Sequence, residues 1–241
     1  MFGWFDYAWP WLGLCFAGVI VVLLFGTDLL RADARRPRWR DPRWLSFLSV
    51  ATYMLHNVEE YGISATGVAH AFPDSLCTVL GQPPYPDCAL PTAFFLFVNL
   101  PLVWVAAPLA ALFAGGRLVG LTLWGVIAIN ALVHIVPAIV SREYDPGLLT
   151  AILLFVPLSA WALLATTGRH GPFRRIAILP VLLSGVVMHA VLAGSALLFL
   201  RGAITAPLLL ALQPIGTALG YAIVSLAGRR AVTTKTHEAM T

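Results

Sequence analysis

A histidine and two glutamates lie close together in a stretch of about residues 44 to 69 that is otherwise apolar. They are His56, Glu59 and Glu60. In a helix, residues three and four positions apart share one face, so the imidazole and both carboxylates would lie one above the other. Ionisable groups in the middle of a bilayer are costly unless they are paired, neutralised or bound to a metal. This spacing therefore indicates a functional site inside a membrane.

Composition supports a membrane protein. Of the 241 residues, 59% are hydrophobic and only 11% are charged, and the mean hydropathy is +0.85. This lies well outside the composition of soluble domains. No basic patch interleaved with aromatic residues could follow a phosphate backbone, so a nucleic-acid partner is excluded. The single lysine, Lys235, lies in a polar tail, which excludes a buried Schiff base to retinal.

The apolar stretches predict an all-α, polytopic helical bundle with seven transmembrane helices. Each stretch is long enough to cross roughly 30 Å of hydrocarbon. The stretches run from about 8 to 30, 44 to 69, 91 to 114, 118 to 140, 148 to 166, 176 to 200 and 206 to 227. All but two of the 15 basic residues, Arg142 and Arg201, then fall in loops on one side. Because basic loops stay in the cytoplasm, we predict the N-terminus outside and the C-terminus inside.

No shift in composition marks a second domain. We therefore predict one transmembrane helical domain over residues 1–230, followed by a disordered cytoplasmic tail over residues 231–241. Within the domain, Cys77 and Cys88 share a proline-rich loop on the outer face. An oxidising compartment favours a disulfide between them, although two free thiols remain an alternative. Cys15, in the first helix, is expected to be a small buried side chain.

Other polar residues lie at a similar depth in neighbouring helices. Asn130 and His134 are four residues apart in the fourth helix, and His189 lies midway along the sixth. Asn99 and Gln213, in the third and seventh helices, reach the same layer from the outside. A single buried histidine or asparagine is often only an interhelical hydrogen-bonding group, but five helices that agree in depth favour one shared site.

Three imidazoles and two carboxylates at one level are typical ligands of zinc, iron or manganese. We predict a divalent metal, with zinc preferred over iron, and the candidate ligands are His56, Glu59, Glu60, His134 and His189. One glutamate would bind the metal and the other would act as general base, while Asn130 would orient ligands or substrate. The predicted activity is hydrolysis of a hydrophobic substrate, a lipid or isoprenoid-like molecule, by a metal-activated water.

Two alternatives use the same residues. In the first, Glu59 and Glu60 share one proton without a metal and act as the acid of an isomerase or cyclase. In the second, the histidines and glutamates form the relay of a proton-coupled transporter. The crowding of polar groups into one layer, and the absence of an internal sequence repeat, weigh against transport.

Three spaced motifs carry a family resemblance. They are His56-x-x-Glu59-Glu60, Asn130-x-x-x-His134 and the turn Tyr144-x-Pro146-Gly147. Together they resemble the HXXEE family of bacterial multi-helix membrane proteins, over about residues 45 to 200. The resemblance implies an all-helical membrane fold in the bacterial inner membrane and an enzymatic role for the motif residues. It implies no established activity, and His189 matches the family pattern less well than the other residues.

Overall fold

The computed structural model of the chain describes residues 2–169 and 171–229. Within them all regular elements are helical, and the only β-type pairing consists of two isolated bridges. The all-α expectation is therefore confirmed for the described residues. The predicted tail, residues 231–241, lies outside them, as does Lys235.

Six helices in the described part of the chain are long and apolar enough to cross a membrane. We label them with two further helices in chain order, as follows: α1 Trp4–Gly26, α2 Pro42–Asn57, α3 Phe72–Val79, α4 Ala93–Ala114, α5 Leu118–Ser141, α6 Leu148–Thr166, α7 Arg175–Leu200 and α8 Ala206–Gly228. The six membrane-type helices are all except α2 and α3. The chain is thus a multi-pass helical membrane protein.

The second predicted span corresponds to α2, which is not among the six membrane-type helices and continues as a π-helix over Val58–Gly62. It ends earlier than the predicted residue 69, because the chain turns back through Gly67, whose φ is +80°, and pairs Ile63 with Ala69. In α2, 14 of 16 residues are buried, whereas 28 to 44% of the most apolar stretch of each membrane-type helix is buried. Its low hydropathy therefore fits a central helix that the others surround.

Local contacts fix where α2 begins. Asp41 is fully buried and caps the helix, accepting hydrogen bonds from the backbone N–H groups of Arg43 and Trp44 at 2.9 and 3.1 Å. Pro42 occupies the first helical position, where the lack of an N–H costs nothing. The helix is thereby held at its N-terminal end, and His56 lies toward the C-terminal end.

The π-helical stretch at the end of α2 contains both glutamates. A π turn adds a residue to the helical repeat and is frequent at functional sites. Two of the membrane-type helices also contain π-helical stretches, Leu100–Ala106 in α4 and Ala151–Phe155 in α6. These irregular segments give the interior of the bundle its polar pocket and its voids.

Helices α5 and α7 approach each other closely at two glycines. A Cβ atom on Gly125 would lie 1.8 Å from the carbonyl oxygen of Val181, and one on Gly185 would lie 2.3 Å from that of Gly125. Small residues allow such backbone contact between membrane helices. The crossing sets the distance between His134, on α5, and His189, on α7.

We expect Gly125→Ala to destabilise the fold, because the methyl group has no space against the Val181 backbone. The cost should be about 1–3 kcal/mol or more, as for overpacked cores. The control is Gly194→Ala, on the partner helix α7, where nothing lies within 4 Å of the added Cβ. Thermal unfolding in detergent should separate the two variants. Equal melting temperatures for the two variants would contradict the close backbone contact between α5 and α7 at Gly125.

The cysteines carry one confirmed prediction and one correction. Cys77 and Cys88 form a disulfide, with an S–S distance of 2.06 Å, and this bond ties α3 to the loop that follows it. Cys15, in contrast, is exposed rather than buried. It lies on the outward face of α1, where a small apolar side chain would contact lipid.

Candidate functional site

Three side chains from two helices meet near the C-terminal ends of α2 and α5. His56 and Glu60 come from α2 and its π-helical continuation, and His134 comes from α5. One ligand atom from each lies within 4.8 Å of the others, and all three residues are buried. The Glu60 Oε1 atom lies 3.5 Å from His56 Nε2 and 3.4 Å from His134 Nε2. We call these residues the three-residue cluster.

The second ring nitrogen of His56 is engaged by another helix. His56 Nδ1 lies 2.7 Å from the hydroxyl oxygen of Thr150, at the start of α6. That hydroxyl lies 2.5 Å from Glu59 Oε2 and 3.2 Å from the Gly147 carbonyl oxygen. A carboxylate and a carbonyl only accept, so the Thr150 hydrogen goes to one of them and its oxygen accepts from His56. This places the proton of a neutral His56 on Nδ1 and leaves a lone pair on Nε2.

The same argument applies to His134. Its Nδ1 atom lies 2.5 Å from Asp145 Oδ2, and a carboxylate again only accepts. Ser75, on α3, donates to the other oxygen of Asp145 at 3.0 Å. His134 Nε2 is buried and makes no hydrogen bond, although Glu60 Oε1 lies 3.4 Å away. In its neutral form, each imidazole therefore turns an unprotonated Nε2 toward the same carboxylate oxygen.

Such an arrangement is what metal-binding histidines require. Their second nitrogen donates to a carboxylate or to another oxygen, which fixes the tautomer and the orientation of the ring. Two nitrogen lone pairs and one carboxylate oxygen that face each other in a buried space repel one another unless a cation lies between them. The donor set of the cluster therefore fits a divalent metal ion.

Glu59 lies in a different environment from its neighbour. It accepts four hydrogen bonds, from the Tyr144 hydroxyl, the backbone N–H groups of Leu149 and Thr150, and the Thr150 hydroxyl, at 2.5 to 3.0 Å. Two of these donors are backbone groups at the N-terminus of α6, where a negative charge is favourable. Burial, and then the bond to Glu59, raise the pKa of the Tyr144 hydroxyl, which keeps it a donor. Glu59 fastens α6 to α2 and is not part of the three-residue cluster.

The remaining predicted residues surround the cluster. Asn130 donates to the Tyr53 hydroxyl at 3.0 Å, and its amide nitrogen lies 3.5 Å from His56 Nε2. His189 lies outside the cluster; its Nδ1 donates to the Gly185 carbonyl oxygen at 2.8 Å. Gln213 donates to Ser195 and to the backbone of its own helix.

A cavity of about 70 Å³ adjoins the cluster, and we call it the site cavity. Glu60, Asn130 and His189 line it together with Tyr53 and Tyr61. A polar space of this size can hold a water molecule or a small group. Asn99 also lines it and donates to the Tyr61 hydroxyl at 3.1 Å. The predicted polar layer thus reaches the site cavity from four helices.

Sequence reasoning did not identify the residues that orient the ligands. Asp145, Thr150 and Ser75 contact the cluster or its partners, yet a lone threonine, serine or aspartate carries no recognisable spacing. The signal that could have found Asp145 was its position inside the turn Tyr144-x-Pro146-Gly147. Gly147 itself has a φ of +103°, and a Cβ atom there would lie 2.7 and 2.8 Å from the Cε1 atoms of His134 and His56.

Comparisons with known proteins identify the motif but not an activity. Residues 47–162 match a family described as a protein of unknown function with an HXXEE motif. The match includes His56, both glutamates, His134 and the start of α6. No curated protein and no solved structure matches the chain.

Proposed function

We propose that the chain, whose residues 47–162 belong to the HXXEE-motif family of unknown function, is an intramembrane metal-dependent enzyme. The reaction we favour is hydrolysis of a lipid or isoprenoid-like substrate. His56, Glu60 and His134 would hold the metal. The observation that carries the proposal is the convergence of two Nε2 atoms, which carry the lone pairs of the neutral rings, on one carboxylate oxygen in a buried site.

The identity of the ligands favours zinc, because imidazole nitrogens and a carboxylate oxygen are donors that zinc commonly binds. The ligand atoms of the three residues lie within 4.8 Å of one another, and the two nitrogen–oxygen distances are 3.4 and 3.5 Å. Two histidines and one glutamate with an open fourth position are also a ligand set of catalytic zinc.

Each residue near the cluster has a role in this scheme. A bound metal would activate water and polarise the bond to be cleaved. Glu60 supplies the negative charge, and Asn130 orients His56 and the groups beside it. We assign the general base to His189 instead of Glu59, because Glu59 is held by four donors. His189 lines the site cavity, and its Nε2 remains able to accept a proton.

The alternatives receive less support from the geometry. A shared proton between Glu59 and Glu60 needs the two carboxylates to face each other, whereas each has its own set of partners. A transporter needs polar groups along a path across the membrane, whereas the cluster and its partners lie at one level.

Elemental analysis of the purified protein tests the proposal. We expect about one zinc ion per chain, and a chelator should stop the hydrolysis of lipids when extracts are followed by mass spectrometry. A folded, metal-free protein whose activity resists chelation would support the paired-carboxylate enzyme instead. Uptake into liposomes driven by a pH gradient would support the transporter.

We also propose that α2 is a seventh span, with the N-terminus outside, in the inner membrane of a bacterium. Its α- and π-helical parts together run from Pro42 to Gly62, which at 1.5 Å per residue is about 30 Å. Alkaline phosphatase fused after Arg40 should be inactive and after Gly81 active, because the enzyme works only outside. Equal activity at the two sites would contradict a span between them.

A further inference from the structure

A groove opens sideways on the membrane face of the bundle, between α4 and α8. It encloses about 580 Å³ and is almost wholly apolar. Its lining includes Leu96, Phe97, Pro101, Pro214, Thr217 and Tyr221. Pro214 and Thr217 lie near the middle of α8, whereas these α4 residues lie in the first half of that helix. We call this feature the lateral groove.

The shape of the two helices explains the opening. Pro101 lies in the π-helical stretch of α4, and Pro214 lies inside α8. Prolines and π turns are the usual causes of helix kinks. Pro101 and Pro214 both line the groove, so the irregular part of each helix borders the opening.

The lateral groove continues inward toward the cluster. A smaller void of about 30 Å³, the inner void, shares Thr217 with the groove. The inner void in turn shares Tyr53, Val98, His189 and Leu192 with the site cavity. Three spaces thus follow one another from the lipid face to Glu60.

The inner void is the narrowest part of this series, and flexible Met188 lines it. Methionine has three rotatable bonds and adapts to irregular spaces. A Cβ atom on Gly220 would lie 2.2 Å from the Met188 Cε atom, so this glycine leaves room for the methionine to occupy. Movement of Met188 would widen the passage without moving a helix.

We propose that the polar end of a single-chain membrane lipid enters through the lateral groove and passes Thr217 to reach the site cavity, while its hydrocarbon chain stays in the groove. The inference rests on the proposed function, because it supplies the metal site with its substrate directly from the bilayer. An apolar lining that faces the hydrocarbon region and leads to buried polar groups matches a molecule with an apolar chain and a reactive polar end. A water-soluble substrate would need an opening to the outer face instead.

Photolabelling tests the route without knowledge of the substrate. The probe is a long-chain alcohol with an alkyl diazirine beside its hydroxyl group, in nanodiscs that hold the full chain. After irradiation, peptide mass spectrometry should find adducts in the groove, at Leu96 or Phe97, and also in the interior, at Val98, Met188 or Leu192. Absence of interior adducts in the unmodified protein overturns the proposal.

A matched pair of variants tests the direction of entry. In Thr217→Trp, interior adducts should fall about tenfold or more, because an indole fills the space that groove and inner void share, while groove adducts remain. The control is Leu219→Trp, because Leu219 lies on the same helix and 47% of it is exposed. This variant should change neither the interior adducts nor the groove adducts. Unchanged interior labelling in a folded Thr217→Trp protein contradicts this entry, and Thr217→Phe serves if the first variant does not fold.

Metal content measured in the same preparations separates this inference from the proposed function. Zinc without interior labelling rejects the lateral route and leaves the metal site standing. Interior labelling without any metal supports the route and rejects the metal enzyme.

Discussion

Glu60→Gln is expected to lose the metal and keep the fold. The amide keeps the size of the side chain, but it removes the negative charge that two Nε2 atoms face. Replacing a residue that only orients a ligand lowers metal affinity about 10–100-fold, so the loss of a ligand should exceed that range. Metal content after dialysis against a weak chelator, measured with the melting temperature, gives the result. We expect the same loss for His134→Ala, in which water can fill the polar space.

The adjacent glutamate supplies the matched control. Glu59→Gln should keep the metal, because Glu59 lies outside the cluster, and should lose stability instead. Its amide N–H₂ would face donors from Tyr144 and Thr150, and each unsatisfied buried donor costs about 1–3 kcal/mol. The hypothesis is wrong if Glu60→Gln retains stoichiometric metal, or if folded Glu59→Gln loses it while Glu60→Gln does not.

This pair of residues shows how far sequence spacing can go. The four-residue interval placed His56 and Glu60 on one face of a helix, and comparison of depths added His134. Sequence spacing could not tell which of Glu59 and Glu60 would bind the metal. It gives the direction in which a side chain points from the helix, but not the residue that the side chain contacts. The difference arises from Tyr144 and Thr150, which lie some 85 to 91 residues along the chain. Such non-local contacts have no local sequence pattern.

Hydropathy predicted the positions of the helices that face lipid better than it predicted α2. Six membrane-type helices follow the predicted stretches closely, since lipid contact requires apolar side chains over the whole length. In α2 the neighbouring helices replace lipid, so serine, threonine and histidine are tolerated wherever they find a partner. Ser46 and Ser49, for example, donate to carbonyl groups of their own helix. Cys15 was misplaced for a related reason: apolar patterning does not tell a lipid-facing side from a buried one.

Gly147→Ala should disturb the site more than any other single methyl group near it. The residue has a φ of +103°, which side chains rarely adopt, and its added Cβ would meet both imidazoles at 2.7 and 2.8 Å. The strain alone costs about 1–3 kcal/mol. The contact would push the His56 and His134 rings away from their present positions beside Glu60. We expect a lower melting temperature together with weaker metal binding.

Gly67→Ala separates these two effects. Gly67 also has a positive φ, +80°, but nothing lies within 4 Å of a Cβ atom there. This variant should show the backbone cost without any change in metal affinity, as measured by competition with a chromophoric chelator. If both variants lose similar stability and both bind metal normally, Gly147 is needed only for the backbone conformation of the turn. A selective loss of metal affinity in Gly147→Ala would show that the turn before α6 holds the two histidines in position.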